Sequence, residues 1–136
     1  MKKILLLIGL LIIGCSDNEQ NDNLEEDESI NVRIEITGSG HSSSISLYHT
    51  KADEGLTEEG VILNEESITI PYEKNLSLDK HLSGGDIRVR FTTYTCNSVQ
   101  KLNLYINGEK VCSKGGVSPS SSVCSNLYNL QCNYDY

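Results

Sequence analysis

Three histidines, five cysteines and a scatter of acidic pairs are the chemistry-bearing residues of this 136-residue chain. His41 stands in "GSGHSSS" beside Ser42, Ser43 and Ser44, a juxtaposition suited to a base-activated hydroxyl nucleophile. No neighbouring carboxylate is placed to orient the imidazole, so the stretch reads as a Ser-rich turn ending a strand. A phosphate-cradling glycine loop is not formed either, because Ser43 fills the third glycine position and no helical pattern follows. His49 and His81 stand alone in the sequence. Asp53-Glu54, Glu58-Glu59 and Glu65-Glu66 supply carboxylates for a hard cation. Adjacent side chains of an extended chain point apart, however, and no alternating acidic loop pattern gathers them. The residues therefore predict no catalytic group, no metal ligand set and no cofactor.

Cys96, Cys112, Cys124 and Cys132 are separated by 15, 11 and 7 residues, without a Cys-x-x-Cys pair. Such spacing points to two disulfides in an exported domain, with three possible connectivities. Cys15 is the odd one. It closes an N-terminal segment made of Met1, Lys2 and Lys3 followed by ten apolar residues, Ile4 to Ile13. As a helix those ten residues reach about 15 Å, half the ~30 Å hydrocarbon core, which fits an export signal and not a membrane span.

The junction Ile12-Ile13-Gly14-Cys15 resembles the bacterial lipobox, an aliphatic residue, a variable one, a small one, then cysteine. That resemblance implies cleavage after residue 14, a diacylglyceryl group on the Cys15 sulfur and acylation of the new N-terminus. Two or three chains anchor stably where one holds marginally, since each buried CH₂ contributes ~0.8 kcal/mol. The following "SDNE" is similar to the acidic signal with which Bacteroidota send lipoproteins to the outer face of the outer membrane. The implied location is the outer membrane facing the cell exterior, with the periplasmic face as the alternative.

Charge divides the rest. Residues 16–28 carry seven acids and no base, while residues 29–136 carry 12 acids and 9 bases. The first stretch holds one aliphatic residue, Leu24, too little to offset the entropy of ordering, and reads as a solvated tether. It repels phosphate, so nucleic acid is not an expected partner. The domain plan is a signal over 1–14, a lipidated Cys and acidic tether over 15–28, and one folded domain over 29–136.

From Ser29 the texture becomes period-two alternation. "NVRIEITG" sets Val32, Ile34 and Ile36 against Arg33 and Glu35. "SISLYH", "SITIPY", "DIRVRFTTY" and "KLNLYINGEKVC" repeat the pattern. Asn107-Gly108 between two alternating runs is a strong hairpin signal, because a type I′ turn needs positive φ at both central residues. "NLSLDKHLSGG" suits a strand or a single helical turn. These elements predict an all-β fold, an antiparallel Ig-like β-sandwich of about seven strands. Strict alternation through the hairpin places Cys112 opposite Asn103 and outward. Cys96 and Cys124 share that outward parity, which predicts Cys112–Cys124 and Cys96–Cys132 bridges. Tyr48, Tyr94 and Tyr105 also fall on outward parity and form a candidate binding face.

The order "VRIEITGSG", "ITIPYEKNLSL", "DIRVRFTTYT" and "LNLYINGEKV" is similar to the extracytoplasmic sandwich of MmpS-type accessory proteins and small lipoprotein relatives. Pro71-Tyr72 stands where that family has Pro-Trp, and Asn107 replaces Asp. The resemblance implies a binding or accessory module without catalytic residues, serving an envelope transport system. The residues by themselves predict a non-enzymatic envelope lipoprotein. Its membrane contact is the lipid, and its partner is an envelope or extracellular protein or glycan met through a sheet face or the 51–66 loop.

Overall fold

Alternation of apolar and polar residues is the driving pattern, and the chain answers it with strands that bury every second side chain. The computed structural model describes residues 29–40, 43–51, 60–81, 84–96, 98–117 and 128–136. The expected signal over 1–14, Cys15, the acidic stretch 16–28, His41, Asp53-Glu54, Glu58-Glu59 and Cys124 lie outside them. Eight strands follow in order: β1 (Ser29–Gly38), β2 (Ser43–Lys51), β3 (Val61–Ile68), β4 (Tyr72–Asp79), β5 (Gly85–Thr93), β6 (Val99–Ile106), β7 (Glu109–Val117) and β8 (Tyr128–Asp135). They form two antiparallel four-stranded sheets, β4-β1-β6-β7 and β3-β2-β5-β8. The all-β sandwich is as expected, with eight strands in place of about seven.

The inner faces are those the alternation marks. Val32, Ile34 and Ile36 of β1, with Leu102 and Leu104 beside them on β6, form one inner face, and Ile45 and Leu47 of β2 with Val89 and Phe91 of β5 form the other, all essentially excluded from solvent. Phe91 is the one aromatic ring among these fully buried side chains, so the core is an aliphatic interleaving of branched residues suited to a pleated surface. Asn107 and Gly108 turn with φ of 49° and 85°, the positive pair the hairpin signal demands. Asn107 also exchanges bonds with Asn31, donating its backbone N–H to the Asn31 carbonyl at 2.8 Å and accepting from Asn31 N at 2.9 Å. At the other end of β1, Gly38 takes φ 119°. A Cβ there would meet the Val99 carbonyl oxygen at 1.9 Å, so only glycine lets β1 stop against β6.

Three sequence expectations are corrected. "SITIPY" is not one strand. Ile68 ends β3, a cis Ile70–Pro71 bond turns the corner, and Tyr72 opens β4 in the other sheet. The 51–66 stretch is not all loop, because Val61 to Glu66 belong to β3. The third correction concerns the disulfide. Cys112 bonds Cys132, not Cys124, and Cys96 is disulfide-bonded to a partner other than Cys132.

The cause is one extra residue. The hairpin pairs Ile106 with Glu109 and Tyr105 with Lys110, then shifts register so that Leu104 faces Cys112 and Asn103 faces Ser113. Val111 is the bulged residue, and past it every side chain of β7 changes face. Cys112 thereby turns toward the interior and meets Cys132, which is 1% exposed beside Val89, with a Cα–Cα distance of 5.8 Å. The bond joins β7 of one sheet to β8 of the other.

The opposite lateral margin, where β3 lies across from β4, is closed by polar groups. Glu65 of β3 accepts from the Tyr72 hydroxyl at 3.0 Å and from Lys74 Nζ at 2.9 Å, both on β4. The bond from Lys74, with that from Tyr72, holds the Glu65 carboxyl below its ordinary value. Burial, then the adjacent carboxylate, pushes the Tyr72 hydroxyl well above the usual phenol range.

Replacing both Cys112 and Cys132 by alanine is expected to cost about 3 kcal/mol of stability in the chain-entropy description. Denaturant unfolding of the variant measures it. Peptide mapping of the unreduced protein should recover one fragment linking Cys112 to Cys132.

Candidate functional site

Both outer faces are wet, and each arranges its polar groups in rows set by strand register. On the first sheet one row runs Asn75, Arg33, Tyr105, Lys110, and the next runs Glu73, Glu35, Asn103, Ser113. The Arg33 guanidinium lies 3.7 Å from the Tyr105 ring centroid and Lys110 Nζ lies 5.2 Å from it, a double cation–π contact. Glu35 Oε2 accepts from Asn103 Nδ2 at 2.8 Å and from the Tyr105 hydroxyl at 3.0 Å. Ser113 Oγ donates to Asn103 Oδ1 at 2.8 Å. Those donors, Asn103 first, hold the Glu35 carboxyl below its ordinary value of 4.5. This part of the face is a finished network in which Arg33, Glu35, Tyr105 and Lys110 each already have a protein partner.

The second sheet is different. Its outer rows are Ser44, Thr92, Asn129; then Asn64, Ser46, Arg90, Gln131; then Val61, Tyr48, Arg88, Asn133. Amides and hydroxyls dominate, joined in short links. Ser46 Oγ donates to Asn64 Oδ1 at 3.1 Å, Thr92 Oγ1 to Asn129 Oδ1 at 2.6 Å, and Gln131 Nε2 to Asn133 Oδ1 at 3.0 Å. Arg88 is paired with Asp86 at 2.7 Å, whereas Arg90 is exposed and makes no ion pair among the described residues. The amide oxygens of Asn64, Asn129 and Asn133 are engaged by neighbours, while Asn64 and Asn129 keep amide hydrogens to offer. A flat, donor-rich surface with an aromatic ring and a lone guanidinium is the face with most unused recognition capacity.

The candidate tyrosines divide between these faces. Tyr48 lies on the second sheet, Tyr105 on the first, so the sandwich separates them by its full thickness. Tyr94, just past the end of β5, is 55% exposed and shares the second sheet's side with Tyr48, which stands opposite Arg88, roughly 20 Å away along the strand direction at ~3.3 Å per residue. A single face carrying all three is therefore not formed. Parity alone could not reveal this, because it separates inside from outside but not one sheet from the other.

A cluster that the sequence left dispersed lies at the end of the sandwich near Asp79. His49 and His81, read as solitary, stack with ring centroids 4.3 Å apart at 22°. Tyr136 OH lies 2.6 Å from His49 Nε2 and accepts from the His81 backbone N–H at 3.2 Å. With that N–H aimed at the phenol oxygen, the phenol proton is available for His49 Nε2, the arrangement of a neutral imidazole. Gly85 makes room for it. A Cβ there would lie 2.6 Å from the Tyr136 hydroxyl, and the two backbones exchange hydrogen bonds. His49 is 7% exposed, and burial followed by the His81 charge lowers its pKa from 6.5, opposed by Asp79. The signal in the sequence was parity: His49 continues the inward series Ile45, Leu47. Among the described residues no group of three or more His, Cys, Asp or Glu side chains converges as a metal site.

No protein-family profile matches this chain, and no curated protein sequence does. The chemistry of its faces carries the functional reading.

Because folding lowers the His49 pKa, the unfolded chain binds more protons between the folded value and 6.5. The stability from His49 is complete above about pH 6.5 and is lost as pH falls through the folded value. Thermal unfolding followed from pH 8 to 5 should show that slope, and His49→Gln should flatten it. Glu35 and Glu65, depressed from 4.5, take over only in more acid solution.

Proposed function

We propose that this chain is a lipid-anchored binding module of a bacterial cell envelope, working by recognition and not by catalysis. Cys15 carries the lipid, the acidic stretch 16–28 spaces the domain from an outer membrane, and the sandwich faces the cell exterior. The observation that carries the binding role is the outer face of the second sheet, with its rows of amides and hydroxyls, exposed Arg90 and Tyr48. Non-enzymatic action is supported by how the titratable groups are engaged. Glu65 is held by Tyr72 and Lys74, Glu35 by Asn103 and Tyr105, and His49 by Tyr136. Each has a structural partner where a catalytic group needs an open approach to substrate.

Two measurements test the two halves. Growth with an alkyne-tagged fatty acid should label the wild-type protein and leave Cys15→Ala unlabelled and absent from the membrane fraction. A photo-crosslinking residue at Gln131, on the second sheet, should capture an envelope component in intact cells, and one at Asn75, on the first sheet, should not. Equal capture from both positions would remove the face assignment.

A further inference from the structure

The second sheet's outer face has a recess at the bulged end of β3. Between the pairs Ser43–Ile68 and Ile45–Glu65, β2 has the single residue Ser44 while β3 has two, Glu66 and Ser67. Ser67 takes φ 62°, a left-handed conformation that residues with a Cβ disfavour. Such outliers persist where the surrounding structure holds them, and bulges re-aim side chains beside functional sites. Here lies a recess of about 270 Å³ lined by Ser43, Ser44, Asn64, Glu66, Ser67 and Tyr94.

The lining selects its occupant by chemistry. Three serines, one amide, one carboxylate and a phenol line the recess, Ser43 buried with its hydroxyl given to Thr93, and among the described residues no cation and no aliphatic side chain lines it. Glu66, without a neighbouring base in the recess, repels phosphate and carboxylate ligands. One carboxylate is too few for a divalent cation, which takes six to eight oxygen ligands in the case of calcium. An apolar ligand would strip water from hydroxyls and return no bond. A neutral ring with several hydroxyls, each both donor and acceptor, answers every group. Its hydroxyls donate to the Glu66 carboxylate and accept from the Asn64 amide, whose oxygen is already engaged by Ser46. Its C–H face lies on the exposed Tyr94 ring.

We infer that this recess seats one sugar ring of a neutral oligosaccharide. This rests on the second sheet's outer face being the binding face. Ser44 belongs both to the recess and to the row Ser44, Thr92, Asn129, so neighbouring rings continue onto the Thr92 hydroxyl and the Asn129 amide of that row.

The test is calorimetric titration of the full-length lipidated protein in detergent. The probes are linear hexasaccharides of glucose, galactose and mannose in α and β linkage, with polygalacturonate as the acidic probe. A neutral hexasaccharide should bind saturably. Tyr94→Ala should weaken it tenfold or more, and Glu66→Gln or Asn64→Ala severalfold, each with an unchanged melting temperature. Failure of every neutral probe to bind would overturn the inference, as would binding indifferent to Tyr94→Ala. Binding of polygalacturonate alone, lost in Arg90→Ala and retained in Tyr94→Ala, would overturn the recess and leave the face reading standing. Loss of the face reading shows separately, in crosslinking from Gln131.

Discussion

One covalent bond between the sheets, Cys112–Cys132, depends on a single inserted residue and fixes much of what surrounds it. Val111 turns the outer half of β7 over, so that a cysteine which regular pairing would expose points into the interior. The bond closes the margin where β7 and β8 pack together. At the other margin, Glu65 holds Tyr72 and Lys74 across from β3 to β4. A two-layer fold has open flanks wherever its edge strands fail to meet, and this one seals one flank with a covalent bond and the other with a charged cluster. Between them the aliphatic core can be thin and still dry.

The alternation in β1, β2, β5 and β6 was fully legible, because each of these strands has one face in the core and one in water. So was the Asn107-Gly108 turn, whose backbone requirement is written in its residue types. The bulges were not. Val111 sits in a run where Lys110, Val111 and Cys112 fit regular alternation as well as a shifted one, and the choice belongs to tertiary packing. Ser67 gives no warning either, since serine is no sign of a left-handed backbone. The His49–His81 stack joins residues 32 positions apart through the meeting of β2 with the approach to β5. Local reading could place His49 on the inward side, as its parity does, but could not supply the neighbour.

The two outer faces show how similar compositions acquire different capacities. On the first sheet, Arg33, Glu35, Asn103, Tyr105 and Lys110 satisfy one another across β1, β6 and β7. A ligand arriving there has to displace bonds already made. On the second sheet the links are short pairs that use amide oxygens and leave Asn64 and Asn129 with amide hydrogens to offer. Arg90 in its midst lacks an ionic partner among the described residues. Register decides this contrast, because it sets which side chains stand opposite one another.

The direction of β1 has a geometrical consequence. The strand begins at Ser29, beside the Asn107-Gly108 turn, and ends at Gly38 against Val99. Ser43, Ser67 and Tyr94 gather at that second end. Ten residues at ~3.3 Å each make β1 a strut of about 30 Å between the point where the preceding chain enters and the end that carries the recess. A tether attached ahead of Ser29 would therefore hold the sandwich by the end opposite its serine-lined notch.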